Sequence, residues 1–359
     1  MNFFKKNIIN LEDKYFSIDL GSFSAKIVQL EKKSSGDFIR AYSSAIIPAN
    51  CIEDGKIIDK QKMIQVIKAA VLATKPKKIN TKKVICSLPE SKVFLRVLSI
   101  PKMEKAEIGE AIKWEIEASI PLSIDQVYYD WQLIGESSGS QNVLTVAISR
   151  EVVADILEVL EGAGLEVHSL EVESVAIARS LISDQTDNTE VALIVDACSR
   201  RTNFIIVEGN IPFFTSSVPF SSDGVTEAIA KTMGIGNEEA EKLKISSGIN
   251  CFHGEGLLSN AISSYLEGLA IEIERTIDFY QNINNKSDKV KKIIICGGAN
   301  LKGLVPYLTK RLKNKILIGD PWINLNFGQR LPIIDREKSL QFATAIGLAM
   351  KKENYENRN

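Results

Sequence analysis

The chain has 359 residues, 45% hydrophobic and 25% charged, with a formal net charge of -1. Such a length allows about two or three domains with sizeable cores, and the balanced charge argues against nucleic acid as a partner. The 5 cysteines never fall at the spacing of a zinc or redox pair, and the 2 histidines leave little material for a histidine metal site or a Ser-His-Asp triad.

No apolar run approaches the roughly 18 residues of a membrane-spanning helix. The apolar stretch within "MNFFKKNIINLEDK" is too short for a signal-peptide core. A cytoplasmic location with buried free thiols is expected, with membrane attachment only through a partner, because the polar "KKENYENRN" tail offers no amphipathic face.

In "YFSIDLGSFSAKIVQLEKK", an alternating apolar run breaks at Asp19-Leu20-Gly21-Ser22-Phe23-Ser24 and resumes at Lys26, the pattern of a hairpin. In "IIDKQKMIQVIKAAVLATKP", Met63, Ile67, Ala70 and Val71 share one face, a core helix stopped by Pro76. Strand-like runs follow at 84–88, 93–100, 127–134 and 142–149, interrupted by the helix "KAEIGEAIKWEIEASI" with Ile108, Ile112, Ile116 and Ile120 at every fourth position. The spacing predicts a compact inserted module, and Phe94, Trp114 and Trp131 are expected in its core rather than as contacts to a partner.

Val153, Ile156, Leu157 and Leu160 then line one face of a helix ended by Gly162 and Gly164. A strand "VHSLEV", a helix "SVAIARSLI" and the polar loop at 183–190 follow, the loop marking a domain boundary. Beyond it, "VALIVDACSRRTNFIIVEGN" repeats the hairpin pattern, with Asp196 at the point matching Asp19. Helices are expected at "GVTEAIAKTMG", "NEEAEKLKIS", 256–284 and up to about 313, with strands at "VKKIIIC" and "KILIG". The chain closes on the helix "SLQFATAIGLAMKK", whose small residues permit close packing. Strands alternating with helices indicate an α/β protein of two related halves.

A phosphate chain needs backbone amides, small residues that allow approach and a cation. "DLGSFSAK" offers these through Gly21, Ser22, Ser24 and Lys26, while Asp19 can hold a hydrated magnesium. An ordinary turn needs the same residue types, so the motif alone leaves both readings open. Neither a Walker loop nor GxGxxG after a strand is present. "CGGAN" at 296–300 follows a buried strand, where Gly297 and Gly298 would let a planar ring or phosphate lie on the backbone.

"IDLGSFSAK", "VDACSRRTN" and "ICGGANLKGL", in that order, resemble the first phosphate, second phosphate and adenosine motifs of the actin-like ATPase superfamily. Within it, the segment "VICSLPESKVFLRVLSIPKMEKAEIGEAIKWEIEASIPLSIDQVYYDWQLIG", similar to the inserted subdomain, and the segments "VTEAIAKTMGIGNEEAEKLK" and "IEIERTIDFYQ" resemble the PilM family of type IV pilus assembly, relatives of FtsA. The resemblance implies an actin-like fold with two related α/β halves and an inserted α+β subdomain of the FtsA/PilM type. It divides the chain into 1–82 with 150–188 and 338–359 as the first half, 83–149 as the insert and 189–337 as the second half.

The same resemblance implies ATP and Mg2+ as cofactors, with Asp19 and Asp196 near the metal. Gly21, Ser22, Ser24, Lys26, Cys198, Ser199 and Thr202 would lie on the phosphates, Glu241 and Lys244 on the ribose, and Gly297 and Gly298 beside adenine. Glu173 resembles the carboxylate that orients magnesium or water. Cys198, at a position that is glycine in the family, and Arg200 and Arg201, where small or hydroxyl residues are usual, make hydrolysis a lesser expectation than binding, at most a weak ATPase. The implied role is an adaptor of the type IV pilus or a related type II secretion platform. It would bind the cytoplasmic N-terminal peptide of a PilN-like bitopic membrane protein in a groove involving the insert, with the pilus motor ATPase and self-association as further contacts. The alternatives are an FtsA-like filament or a kinase of the superfamily.

Overall fold

The computed structural model describes residues 14–137, 139–185, 190–248, 257–284, 289–297, 301–312, 314–328 and 331–351. Gly298, Cys251, residues 186–189 of the boundary loop and 352–359 of the polar tail lie outside the described residues. Two sheets organise the chain. In the first, the order is Glu166–Val172, Lys83–Leu88, Phe16–Leu20, Ser24–Lys33, Gly36–Ile46 and Lys75–Pro76. The second runs Lys315–Ile318, Lys292–Gly297, Val191–Ala197, Thr202–Glu208 and Ile211–Val218, then Val93–Pro101, Ser140–Ser149 and Val127–Ser137.

The first five strands of each sheet have one topology. Three parallel strands end on a strand that carries an aspartate, and an antiparallel meander continues from it. The expected likeness of the two halves is therefore a likeness of strand order. Phe16–Leu20 and Val191–Ala197 are buried along their whole lengths, as a central strand covered on both faces requires.

The helices bury the faces that their spacing predicts. Lys60–Leu72 buries Met63, Ile67 and Ala70 and is capped by Asp59, whose side chain accepts from the Lys62 N–H. Arg150–Gly162 buries Val153, Ile156 and Leu160, and Lys105–Ser119 buries Ile108, Ile112 and Ile116. The C-terminal segment is shorter than its pattern: Arg336–Ser339 and a 3-10 turn precede the helix Ala343–Ala349.

Two expectations about the insert need correction. The strand Lys83–Leu88 does not open it, because it pairs in parallel with Phe16–Leu20 and Glu166–Val172 inside the first sheet. The remaining insert strands extend the second sheet through the pair Phe214 and Arg96. Val93–Pro101 places Leu95 in the core of the first half and Val97 in that of the second, so one strand is anchored in both. Trp114 is 73% exposed rather than buried, because it lies across the helix from Ile112 and Ile116. Phe94 and Trp131 pack at the edge of the insert core.

Candidate functional site

The ends of five strands converge on a cleft of about 790 Å³ between the halves. Its lining includes Asp19, Glu90, Glu173, Asp196 and Gly297. Each stands at or just beyond the carboxyl end of a parallel strand, where α/β sheets generally hold their ligands.

The first wall is the hairpin Phe16–Leu20 and Ser24–Lys33. Its register sets Asp19 directly across from Lys26, and Lys26 Nζ lies 3.2 Å from Asp19 Oδ2. Burial lowers the Lys26 pKa, but attraction to Asp19, with Cys198 and Asp196 further off, holds it above the usual lysine value. The Gly21 N–H closes the turn on the Ser24 carbonyl at 3.2 Å, and Gly21, Ser22 and Ser24 all face the cleft. The residues read as a phosphate-binding turn thus do build an ordinary turn, one whose lip opens on the cleft.

The second wall is the hairpin Val191–Ala197 and Thr202–Glu208. Asp196 is 6% exposed and receives two thiols, Cys198 Sγ at 3.3 Å from Oδ2 and Cys296 Sγ at 3.6 Å from Oδ1. Burial raises the Asp196 pKa, as does the nearby Asp19, against the lowering effect of the thiol hydrogen bonds. Burial, reinforced by the Asp196 carboxylate, pushes the Cys198 thiol well up, so it acts as a donor rather than a nucleophile. Gly297 has φ +91, and a Cβ there would lie 2.4 Å from the Ala197 carbonyl oxygen and 2.6 Å from Asp196 Oδ1. Only glycine lets this strand end lie so close to the second hairpin.

Cys198 and Ser199 line the cleft, whereas Thr202 does not. Thr202 pairs with Ala197 across the hairpin, is fully buried and donates its hydroxyl to the Phe220 carbonyl at 3.0 Å. Arg200 and Arg201 reach the cleft but also bind across it. Arg200 Nη1 donates to the Ile52 carbonyl at 2.8 Å, and Arg201 Nη1 lies 3.6 Å from Asp54 Oδ1. Both arginines thereby tie the second hairpin turn to the first half.

Of the two residues expected at the ribose, Glu241 lines the cleft and Lys244 does not. Lys244 Nζ pairs with Glu241 at 2.7 Å and donates to the Ser222 hydroxyl at 2.7 Å and to Thr226 Oγ1 at 2.8 Å. It pins the helix Asn237–Ser247 to the first turn of Ser222–Met233 and so sets where Glu241 stands.

Glu173 opens the helix Glu173–Leu181, and its Oε2 accepts from the Glu90 N–H at 3.3 Å. Burial drives its pKa well up, and repulsion from Asp19, Glu90 and Asp196 adds to the rise. Ser87 and Glu90 escaped the sequence reading. Ser87 Oγ accepts from the Leu20 N–H at 3.1 Å and donates to Asp19 Oδ1 at 3.4 Å. The signal available was the Ser-Leu-Pro turn ending a strand parallel to that of Asp19.

A glutamate whose folded pKa is raised binds its proton more readily folded than unfolded, so its contribution to stability falls as pH rises from its ordinary 4.5 toward the folded value. Glu173→Gln removes that penalty. Thermal melts of the variant are expected to show a higher midpoint than the parent at about pH 8, by roughly 2–4 °C per kcal/mol relieved, and no gain at about pH 4. An equal effect at both pH values would refute the charge crowding.

The arrangement fits a nucleotide with a divalent cation. Two carboxylates face each other from matching hairpins, a lysine and glycine turns adjoin them, and magnesium usually takes one or two carboxylates and several waters. Among the described residues no group of three or more His, Cys, Asp or Glu is placed to hold a metal by itself. Phosphate oxygens would complete such a coordination.

A family model described as type IV pilus assembly protein PilM matches residues 17–353. The solved PilM-PilN type IV pilus biogenesis complex is similar at TM-score 0.80 and 25% identity, over 94% of this chain and 97% of that one. EutJ from Carboxydothermus hydrogenoformans shares the fold at TM-score 0.54 and 16% identity, over 93% and 88% of the two chains. MreB5 of Spiroplasma citri, solved bound to AMPPNP, does so at 0.50 and 14%, over 93% and 94%. The fold is actin-like. The cell division protein FtsA of Bacillus subtilis is 21% identical over 259 residues, and the match spans 66% of this chain and 58% of that protein.

Proposed function

As this chain belongs to the PilM family of type IV pilus assembly proteins, we propose that it is a nucleotide-binding adaptor at the inner-membrane assembly platform. ATP with Mg2+ occupies the cleft, with Asp19 and Asp196 on the metal side and Gly21, Ser22, Ser24 and Lys26 on the phosphates. Cys198 and Ser199 border the phosphates from the second hairpin, Glu241 approaches the ribose and Gly297 the base. The observation that carries this reading is the facing of two like hairpins, each presenting a buried aspartate to one cleft. The chain's relatedness to the PilM of a PilM-PilN complex supports a PilN-like partner.

The partner's cytoplasmic N-terminal segment docks as an extended peptide in a groove involving the insert, where main-chain bonds and side-chain pockets supply affinity without catalysis. An insert strand anchored in both cores gives that groove a mechanical link to the cleft. No helix among the described residues is long and apolar enough to cross a membrane, and attachment to the inner membrane runs through the partner. The motor ATPase and self-association are further contacts of the same platform.

Titration calorimetry of the protein with the cytoplasmic peptide of a PilN-like protein, with and without Mg-ATP, tests the reading. Peptide binding with an affinity that changes on adding nucleotide is expected, and any such change is reciprocal between the two ligands. ATP-dependent phosphorylation of a small molecule, without peptide binding, would overturn it.

A further inference from the structure

Between Lys60 and Pro89 the chain carries eight lysines and no aspartate or glutamate, although acids and bases balance in the whole sequence. Two of these lysines are matched locally, Lys60 by Asp155 and Glu158 and Lys62 by Asp59. Most of the others gather in one place. The connection from the helix Lys60–Leu72 to the strand Lys83–Leu88 crosses the first sheet at the amino ends of its parallel strands, opposite the cleft. The Lys77 N–H donates to the Arg40 carbonyl at 3.3 Å, the Glu166 N–H to the Lys82 carbonyl at 2.9 Å, and Gln29 Nε2 to Asn80 Oδ1 at 2.9 Å. Arg40, Gln29 and Glu166 stand on three different strands, so these bonds hold the connection across most of the sheet's width. Lys75, Lys77, Lys78 and Lys82 are exposed on it, as is Lys68 on the helix before it, and none of the five makes an ion pair among the described residues. Leu72, one turn after Lys68 on the same helix face, is 72% exposed. The bordering acids are themselves matched: Glu31 lies 3.7 Å from both Lys33 and Arg40, and Glu166 stands beside Lys83 in the strand register.

We propose that this face is a docking surface for the anionic lipid headgroups of a membrane. The inference rests on the placement of the adaptor at the inner-membrane platform, and adds to it a contact made by the chain itself. Headgroup phosphates favour a spread of unpaired ammonium groups, and each lysine close to a negatively charged leaflet strengthens binding by about fivefold. At the acyl boundary the exposed Leu72 leaves water, while the lysines keep their charges among the headgroups. Nucleic-acid phosphates offer the lysines the same charge but no apolar layer for Leu72, so lipid is the better match. None of these residues lines the cleft, so lipid and nucleotide do not compete for space. A few lysines and one leucine bind weakly on their own, and stable attachment takes a second signal. The partner's peptide supplies that signal, and the basic face sets which side of the protein meets the membrane.

The test is co-sedimentation of the full chain with phosphatidylcholine vesicles, with and without about 30% phosphatidylglycerol, in the parent and in the triple variant Lys77→Gln, Lys78→Gln, Lys82→Gln. All three side chains are exposed, and the backbone bonds at Lys77 and Lys82 survive the change, so the melting temperature should not move. Binding is expected to the anionic vesicles alone, to weaken as salt is raised, and to fall at least about tenfold in the variant. Leu72→Ser should cost about threefold, with little dependence on salt. No binding to anionic vesicles, equal binding to both kinds, or equal binding by parent and variant overturns the proposal. A duplex oligonucleotide bound more tightly than the vesicles, and lost in the same variant, overturns it in favour of a nucleic-acid surface. If the variant fails to fold, the salt titration of the parent decides, since salt-independent binding rules out the lysines. The PilN-like peptide is titrated into the same preparations. Peptide binding without vesicle binding sinks this inference alone, and vesicle binding without peptide binding sinks the partner reading.

Discussion

Asp19→Ala is expected to abolish Mg-ATP binding, with a loss of at least about a hundredfold in affinity, close to 3 kcal/mol. Asp19 does two jobs that no neighbour can take over. Its Oδ2 holds Lys26 at 3.2 Å, and its Oδ1 accepts from Ser87, which in turn accepts from the Leu20 N–H and so fixes the strand end. Removing the carboxylate leaves a largely buried ammonium without its main counter-charge, and breaking one partner from a buried pair is costly, up to about 3–5 kcal/mol. It also removes one of the two acids able to hold the hydrated cation. Calorimetry in magnesium and in chelator separates the roles, because metal-free binding should suffer less. Equal Mg-ATP affinity in variant and parent would show that the first hairpin does not hold the phosphates.

Gly347→Ala should destabilise the protein by about 3 kcal/mol or more, at or beyond the upper end of overpacking costs. The helix Ala343–Ala349 lies against Glu173–Leu181 so closely that a Cβ on Gly347 would stand 1.8 Å from the Ala176 carbonyl oxygen and 2.5 Å from its carbon. These are backbone atoms, so no rotamer change relieves the clash. The Gly347 carbonyl also accepts from Arg179 Nη1 at 2.7 Å, and Arg179 is held in turn by both oxygens of Glu171. Displacing the helix would pull Ala343 and Thr344 away from the cleft and shift the start of the helix that carries Glu173. Chemical denaturation should show a lower midpoint at unchanged slope, and a midpoint equal to the parent's would refute the close approach.

Both residues stand in segments whose role is partly local. Asp19 and Lys26 face each other because a tight turn separates two alternating runs, which the order of residues shows directly. The small residues of "ATAIGLAM" announce a close contact, though not its partner. Glu90 shows the opposite case. Its own neighbourhood reads as a loop after a Pro, and its partners, Glu173 and Ser174, lie more than eighty positions away, as the separations of 83 and 84 make plain. Trp114, expected in the core of the insert, stands 73% exposed because its angle on the helix turns it away from the buried isoleucines.

By itself the sequence determined the α/β alternation, the buried helix faces, the two aspartate-ended hairpins and, through its motifs, the family. These depend on side-chain period and turn chemistry, which are written within a few residues of one another. The tertiary structure alone decided that Lys83–Leu88 belongs to the first sheet, that the insert extends the second and is anchored in both cores, and that Thr202 and Lys244 spend their polar groups on the scaffold. Strand pairing runs through backbone N–H and C=O groups that every residue except proline carries alike, so the choice of neighbour is settled by how whole layers pack and leaves no mark on any single segment.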